Sequence, residues 1–358
     1  MKINTEYGFS NVYIVPRNSV SSIVSRKECD TSVSFNSFLQ EEGMTTFEMP
    51  LMLSPMSFFG ENAIRKVNNR FLTFLPRIQA YQFTGERAHP NWQDIDIRMG
   101  HAKKLHKDGF KFGVAISVLD DFEKILELCN YTDFLLVDTA NGYSEKLHHF
   151  IRSINQFLSS KMNSVSFSKI KIITGNVVDT HGFCSLRDAG SHAIRLGIGG
   201  GSNCTTSDST SVGRPPLSML TEIYDFDWSC GGNSAGKICD GGIKSSGHLS
   251  LALLFAEYAM VSGIFKYSEL NLHHEYFLTN PIDEYHNRIP AYGMASKYAK
   301  ANDPSYVEGK ITTGEATCFE EVYSQLKEGL QSSMSYLNAK TLEEYRRSHF
   351  ELSYSSNY

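Results

Sequence analysis

The sequence predicts an α/β fold, a single-domain (β/α)8 or TIM barrel, and three observations support this prediction. Eight short runs of Val, Ile, Leu and Phe recur along the chain, segments with helical apolar spacing separate them, and glycine and polar residues follow the runs. Continuous apolar runs suit strands that are buried on both faces of a parallel sheet. Eight alternating units favour closure into a barrel, although periodicity alone also allows an open doubly wound sheet.

The predicted strands begin at residues 50 (PLMLSP), 71 (FLTFLP), 112 (FGVAISV), 134 (FLLVD), 171 (KIITGN), 193 (AIRLGIG), 237 (KICDGG) and 258 (YAMVSG). Helical spacing is clearest before the fourth and fifth runs, at Phe122, Ile125, Leu126 and Cys129 and at Phe150, Ile151, Ile154, Phe157 and Leu158. We expect residues 1–358 to form one domain, with the barrel over roughly 48–330 and an extension at each end. A segment of roughly 81–110 is interpreted as an insertion before the third strand.

Composition and charge exclude several classes of function. The 41% hydrophobic and 20% charged residues are typical of a folded globular protein, and the net charge of −5 comes from interleaved acidic and basic residues. Without a basic stripe, nucleic acid is not expected as a partner. The amino-terminal residues lack a basic segment followed by an apolar one, and no apolar run of about 18 residues follows. We expect a cytoplasmic protein that does not associate with a membrane.

The cysteines favour thiols in a reducing compartment. There are seven of them, an odd number at irregular spacing, and no CxxC pair occurs. Cys230 and Cys239 lie nine residues apart with no second pair to complete a zinc site, so structural zinc is disfavoured. At least one cysteine is a candidate for a reactive thiol.

The most informative segment is GIGGGSNCTTSDSTSVGRPP at 197–216, directly after the sixth predicted strand. In barrels of this kind the chemistry lies at the carboxyl ends of the strands. The glycines let the backbone approach a ligand before the loop presents Cys204, although a flexible connection with an incidental cysteine is the alternative. After the seventh strand, Asp240 precedes Gly241 and Gly242, which suits a ribose hydroxyl and a phosphate, or only a tight turn. Ser262 and Gly263 end the eighth strand.

Taken together, these segments resemble the IMP dehydrogenase and GMP reductase family. The matching pieces occur in the family's order along nearly the whole chain: FSNVYIVPR at 9–17, SPM at 54–56, VDTANGYSE at 137–145, ITGNVV at 173–178, GIGGGSNCTT at 197–206, VGRPPLS at 212–218, DGGI at 240–243, YGMAS at 292–296, VEGK at 307–310 and SYLNAKTLEEYRR at 335–347.

The resemblance implies a mechanism in which the Cys204 thiolate attacks carbon 2 of a purine mononucleotide and a hydride moves between that carbon and a nicotinamide cofactor. Thr206 and Glu308 would form the proton relay, a task that needs a hydroxyl and a carboxylate within hydrogen-bond reach. The main-chain carbonyls of Gly199, Gly201 and Cys204 would bind a monovalent cation, K⁺. The family also implies a homotetramer.

The resemblance further assigns the binding residues. Asp240 would bind the ribose, and Ser262 also belongs to the substrate site. The phosphate would be surrounded by Ser202, Gly241, Gly242 and Gly263. The phosphate and base would be lined by Tyr292, Gly293 and Met294. The nicotinamide half of the cofactor would lie beside Asp138, Thr139 and Ala140.

Two features favour the reductase branch, which converts GMP to IMP and ammonia with NADPH. Only KYAKANDPSY separates YGMAS from VEGK, so the Arg-Tyr pair that activates water in dehydrogenases is absent from this stretch, and ANGYSE after Asp138 is similar to reductases. An IMP dehydrogenase that lacks the regulatory module and a nucleotide-binding pseudoenzyme are the alternatives. One departure is that reductases usually have a lysine in a His-Lys context just after the second strand, whereas this chain reads FLPRIQ at 74–79. Arg77 is the nearest cation, and arginine does not readily donate a proton.

Overall fold

Eight parallel strands close into a barrel in the computed structural model of the chain. The structure describes residues 5–17, 20–34, 46–77, 94–139, 141–204, 206–231, 235–279, 288–293 and 310–356. Three short strands precede the barrel: β1 (Val12–Pro16), β2 (Val33–Ser34) and β3 (Thr46–Phe47). The barrel strands are β4 (Leu51–Leu53), β5 (Leu72–Leu75), β6 (Gly113–Ile116), β7 (Phe134–Val137), β8 (Lys171–Val177), β9 (Ala193–Leu196), β10 (Gly236–Asp240) and β11 (Tyr258–Val261).

The predicted TIM barrel is confirmed, and each barrel strand falls within one of the eight predicted runs or overlaps it. The first and eighth strands of the barrel pair in parallel, with Ala259 opposite Leu51, which closes the sheet and excludes the open alternative. Residues of β4 to β9 are buried throughout, as expected for strands enclosed by a ring of helices.

Helices follow the barrel strands in the alternating order that the sequence predicts. They are α1 (Gly60–Val67), α2 (Ile95–Lys107), α3 (Phe122–Leu128), α4 (Glu145–Lys161), α5 (Ser164–Lys169), α6 (Thr180–Asp188), α7 (Thr206–Thr210), α8 (Pro216–Ser229), α9 (Ser246–Leu253), α10 (His274–Thr279), α11 (Phe319–Tyr336) and α12 (Leu342–Arg346). The apolar spacings singled out in the sequence lie mainly on α3 and α4. The proposed insertion is corrected in part, because residues 95–107 form the helix that connects β5 to β6.

Capping side chains fix where several of these helices begin. The carboxylate of Asp121 accepts hydrogen bonds from the backbone N–H groups of Glu123 and Lys124 at 3.0 and 3.1 Å, so α3 starts at Phe122. At α6, Asp179 accepts from the N–H of Gly182 at 2.7 Å. Such caps satisfy donors that have no partner within the helix.

Two further antiparallel strand pairs lie outside the barrel sheet. Strand β12 (Ile289–Tyr292) pairs with β13 (Ile311–Gly314), and β1 pairs with β14 (Phe350–Tyr354), with Val12 opposite Tyr354. Before β1, the chain packs on the barrel: Glu6 forms a 2.8 Å ion pair with Arg214.

A buried ion-pair cluster lies between strand β10 and the helices that pack outside it. At the amino end of β10, the buried ammonium of Lys237 lies 2.7 Å from Asp227 Oδ2 and 3.4 Å from Glu257 Oε1. The two carboxylates compensate the buried ammonium and so support the packing of α8 on the barrel. Among the described residues, none of the helices has both the length and the apolar character needed to cross a membrane.

Candidate active site

A cavity of about 240 Å³ opens at the carboxyl ends of the barrel strands. It brings together ten of the predicted site residues: Asp138, Thr139, Gly199, Gly201, Cys204, Thr206, Asp240, Gly241, Ser262 and Gly293. Its wall also contains Ser54, Met56, Asn176, Arg195, Asn203 and Lys266. Four further predicted residues are described but do not line it: Ser202, Gly242, Gly263 and Tyr292. Ala140, Met294 and Glu308 lie outside the described residues.

The loop that carries Cys204 is packed backbone to backbone against the loop after β10. A Cβ atom built on Gly241, whose φ is +94°, would lie 2.7 Å from the carbonyl carbon of Gly200. A Cβ on Gly197 would lie 2.6 Å from the carbonyl oxygen of Asp240. The N–H of Gly242 donates to the carbonyl of Gly200 at 3.0 Å. Glycine is therefore required at these contacts, because any side chain would separate the loops.

Cys204 lies half-buried at the edge of this loop and contacts Thr206. The thiol Sγ is 3.2 Å from Thr206 Oγ1, with the hydroxyl oxygen as acceptor. The N–H of Cys204 donates to the carbonyl of Gly201 at 3.0 Å, which closes a tight turn and holds the cysteine in place. The arrangement provides a nucleophile and an adjacent group that can receive its proton.

Asp240 is held from two sides by hydrogen bonds. Arg195 on β9 donates to Asp240 Oδ2 from Nη2 at 2.8 Å and from Nε at 2.9 Å. Asn176 donates from Nδ2 to the same oxygen at 2.6 Å. Both side chains are buried or nearly so, and charge-assisted hydrogen bonds of this length are strong. The carboxylate that the resemblance assigns to the ribose is therefore fixed in position.

Asp138 lies between two guanidinium groups. Arg77 Nε is 3.4 Å from Asp138 Oδ2, and Arg195 Nη1 is 3.8 Å from Asp138 Oδ1. Arg195 thus faces both cavity carboxylates, Asp138 and Asp240. Arg77, the cation nearest to the place where the resemblance leads one to expect a lysine, is engaged by Asp138.

The residues assigned to the phosphate form a second group beside the cavity. A Cβ on Gly263 would lie 2.9 Å from Ser202 Oγ, so the loops after β9 and β11 meet here. The Ser202 hydroxyl donates to Asn203 Oδ1 at 3.0 Å. Asn203 in turn is buried, and its Nδ2 donates to the carbonyl of Ala291 at 2.7 Å. Ser202 and Gly263 are thereby brought together, although neither lines the cavity itself.

Tyr292 directs its side chain into the core. Its hydroxyl is 3.1 Å from His273 Nε2, its ring packs edge-on against Phe58, and burial raises its pKa to about 12. His273 is 1% exposed, and burial lowers its pKa to about 4. Of this stretch, the cavity is lined by Gly293.

Sequence reasoning missed Arg195, Asn203 and Lys266. Arg195 is the charged residue within the apolar run AIRLG, and a charge inside a buried strand is itself a signal of a polar partner at the barrel end. Lys266 follows Gly263 by three residues within GIFKYS, an apolar context in which a lysine is unusual. Asn203 gives no such signal, because asparagine is common in loops.

Comparisons with known proteins agree with this architecture. A family model described as IMP dehydrogenase / GMP reductase domain matches residues 6–357. The chain is 26% identical over 359 residues to a GMP reductase of Mesoplasma florum, covering 98% of this chain and 99% of that protein. A GMP reductase of Staphylococcus carnosus is 24% identical, covering 95% and 94%. An inosine-5'-monophosphate dehydrogenase of Borreliella burgdorferi is 27% identical over 251 residues, covering 66% and 59%.

Proposed function

The chain belongs to the IMP dehydrogenase / GMP reductase family of enzymes, and from this premise we propose that it is an oxidoreductase that converts GMP to IMP and ammonia with NADPH. The observation that carries the proposal is the contact of 3.2 Å between Cys204 Sγ and Thr206 Oγ1, within a cavity that also contains Asp240. Full-length similarity to proteins named GMP reductase supports the choice of this branch.

In this mechanism Cys204 forms a covalent bond to carbon 2 of the purine. The thiol proton passes to Thr206 Oγ1 as the Thr206 hydroxyl passes its own proton to Glu308, the thiolate attacks the carbon, and the 2-amino group leaves as ammonia after it gains a proton from this relay. Glu308 completes the relay in the proposal. After carbon 2 has been reduced, release of the purine breaks the carbon–sulfur bond and returns the thiolate of Cys204. Asp240, fixed by Arg195, accepts hydrogen bonds from the ribose and keeps carbon 2 in line with the sulfur.

The residues beside Asp138 fit a nicotinamide cofactor. A carboxylate acceptor and the hydroxyl of Thr139 stand together at the cavity wall, and these groups suit an amide and a ribose. Ala140 would continue the same surface. When bound, the nicotinamide supplies the two electrons and the hydrogen that the purine carbon gains. Arg77 and Arg195 hold the Asp138 carboxylate in position for this contact.

The monovalent cation fits the described residues less well. Of the three proposed carbonyl ligands, that of Gly201 already accepts the N–H of Cys204 at 3.0 Å. Carbonyl oxygens can replace the hydration shell of K⁺ only when several surround the ion. The proposed chemistry therefore does not require a cation at Gly199, Gly201 and Cys204. Activity in K⁺ compared with Na⁺ at equal ionic strength tests this part of the proposal.

The test of the proposed function is a turnover assay on the purified chain. GMP with NADPH should cause loss of nicotinamide absorbance and release of one ammonia per cofactor oxidised, and NADH serves as the comparison. The Cys204→Ser variant should lose this activity, whereas the exposed thiol variant Cys230→Ser should keep it. Intact mass measurement with GMP should detect a nucleotide adduct that is lost in Cys204→Ser.

Other results would support other functions. Reduction of NAD with IMP, and no reaction with GMP, would identify a dehydrogenase. Binding of GMP by a folded sample without any turnover would identify a nucleotide-binding pseudoenzyme. We also propose that the protein is a homotetramer, which sedimentation would test, and that it is cytoplasmic, which cell fractionation would test. We further propose that residues 1–358 form one domain, which a single cooperative unfolding transition would support.

A further inference from the structure

Lys266 places an ammonium group in the cavity wall, and this side chain is not among the residues that the resemblance assigns. The residue is 9% exposed. Its Nζ donates to Asn203 Oδ1 and to Thr312 Oγ1, each at 3.0 Å, and lies 4.8 Å from the centre of the Tyr267 ring. Among the described residues, these partners are all neutral, and no carboxylate lies within ion-pair distance.

A buried ammonium without a counter-charge is unfavourable. Within the described part of the cavity wall, the carboxylates Asp240 and Asp138 do not relieve it, because both already face Arg195. The ammonium of lysine has three N–H donors, and two of them are used by Asn203 and Thr312. One donor and one full charge are therefore available to an anion.

The position of Lys266 shows which part of a nucleotide it would meet. Asn203 Oδ1 accepts from both Lys266 and the Ser202 hydroxyl, each at 3.0 Å. Ser202 in turn adjoins Gly263. Lys266 therefore belongs to the group of residues assigned to the phosphate: Ser202, Gly241, Gly242 and Gly263. That set contains no cation, whereas a phosphate monoester carries about −1.5 to −2 charges near neutral pH.

Asn203 holds the ammonium in a fixed orientation. Its Nδ2 donates to the carbonyl of Ala291 at 2.7 Å and to Thr312 Oγ1 at 3.0 Å. The amide oxygen must then point the other way, toward Lys266 and Ser202. Thr312, on β13, contacts both side chains. The lysine is thus preorganised, which limits the entropy lost when a ligand binds.

We propose that Lys266 binds the phosphate monoester of the purine mononucleotide and is the residue by which the enzyme selects a mononucleotide over a nucleoside. This inference rests on the proposed function for the identity of the base, but the anion site is tested by binding alone. The chemistry is that of a charge-assisted hydrogen bond between an ammonium and a phosphate oxygen.

The experiment compares Lys266→Gln with wild type by calorimetric titration of GMP, IMP, guanosine and inorganic phosphate. Glutamine retains a donor for Asn203 but removes the charge. We expect the Kd of GMP to rise by about 10- to 100-fold, and that of guanosine to stay within about twofold. The exposed Lys244, in the loop after β10, gives the matched control: Lys244→Gln makes the same change in net charge and should leave the Kd of GMP unchanged.

Each result separates this inference from the proposed function. Lys266→Gln could weaken the binding of GMP but not that of guanosine while wild type shows no turnover. In that case the anion site is supported and the enzymatic proposal fails. If wild type turns over GMP and the variant binds GMP normally, Lys266 is not the phosphate ligand. An equal rise in the Kd of GMP and the Kd of guanosine would show that Lys266 only supports Asn203. Wild type that binds neither GMP, IMP nor phosphate would also overturn the inference. Thermal unfolding of Lys266→Gln and a second variant, Lys266→Met, shows whether the fold is intact.

Discussion

Arg195 and Asp240, on adjacent barrel strands, are joined by two hydrogen bonds of 2.8 and 2.9 Å at the base of the cavity. Both bonds, and that from Asn176, reach Oδ2. Within the described part of the chain, Asp240 Oδ1 has no hydrogen bond and remains an acceptor for a ligand. Oδ2 of this carboxylate therefore fixes the side chain in position, and Oδ1 can accept a hydrogen bond from a ligand.

Replacement of Arg195 by leucine should destabilise the protein and disorder the site. It would leave Asp138 and Asp240 near each other without the guanidinium, and removal of one partner of a buried ion pair costs about 3–5 kcal/mol. We expect a loss of unfolding free energy of this order in denaturant titrations, together with a higher KM for the nucleotide. Arg195→Lys is the comparison, because it keeps the charge but not the two-bond geometry. Equal stability of Arg195→Leu and wild type would contradict the prediction.

Substitution of Gly241 by alanine should reduce activity more than it reduces stability. The residue has a φ of +94°, and its Cβ would meet the backbone of Gly200 at 2.7 Å. Gly109, with a φ of +82° and open space within 4 Å of an added Cβ, provides a control for the conformational strain alone. Gly109→Ala should lose about 1–2 kcal/mol of unfolding free energy, and Gly241→Ala should lose more, because its Cβ also meets the backbone of Gly200. Only Gly241→Ala should displace the loop that carries Cys204, with a fall in kcat/KM of about 100-fold for a shift near 1 Å.

Thr206→Val should slow turnover and leave nucleotide binding intact. Valine has nearly the same shape but removes the oxygen that lies 3.2 Å from Cys204 Sγ. Loss of a proton-transfer group typically lowers the rate by about 10²- to 10⁴-fold. We expect kcat to fall in this range, the Kd of GMP to change little, and Thr206→Ser to restore most of the rate. A Thr206→Val enzyme with the kcat of wild type would remove Thr206 from the mechanism.

The buried His273 should make the protein sensitive to acid. Burial lowers its pKa from 6.5 to about 4, so between these values the unfolded state binds a proton that the folded state does not. Its contribution to stability is therefore complete above pH 6.5 and is lost progressively as the pH falls toward 4, with a limit of about 3 kcal/mol. Denaturant unfolding across this window should show the slope, and His273→Gln should reduce it. The exposed His149→Gln should not alter it.

Much of the fold could be predicted from the sequence because burial on both faces leaves a continuous apolar run at each barrel strand. The helix Ile95–Lys107 was not predicted, because its 13 residues show only a weak helical pattern of apolar side chains and follow a polar stretch. For the candidate site, Cys204, Asp240 and Ser262 each lie at or after the carboxyl end of a predicted strand. The sequence therefore predicted that they share one end of the barrel. What could not be predicted were contacts across the barrel. The pairing of Arg195 with Asp240, the direction of the Tyr292 ring and the position of Lys266 depend on how loops from different strands meet.

The pairing of β1 with β14 has a consequence for the biosynthesis of the protein. Val12 is synthesised before the barrel, and its partner Tyr354 is added some 340 residues later. At a synthesis rate of about 5–20 residues per second, β14 is completed tens of seconds after β1. The segment before β1 can pack earlier, because its partners, including His248 and Gly242 beside Phe9, precede β14 in the chain. The β1–β14 pair is therefore a contact that only a fully synthesised barrel can make.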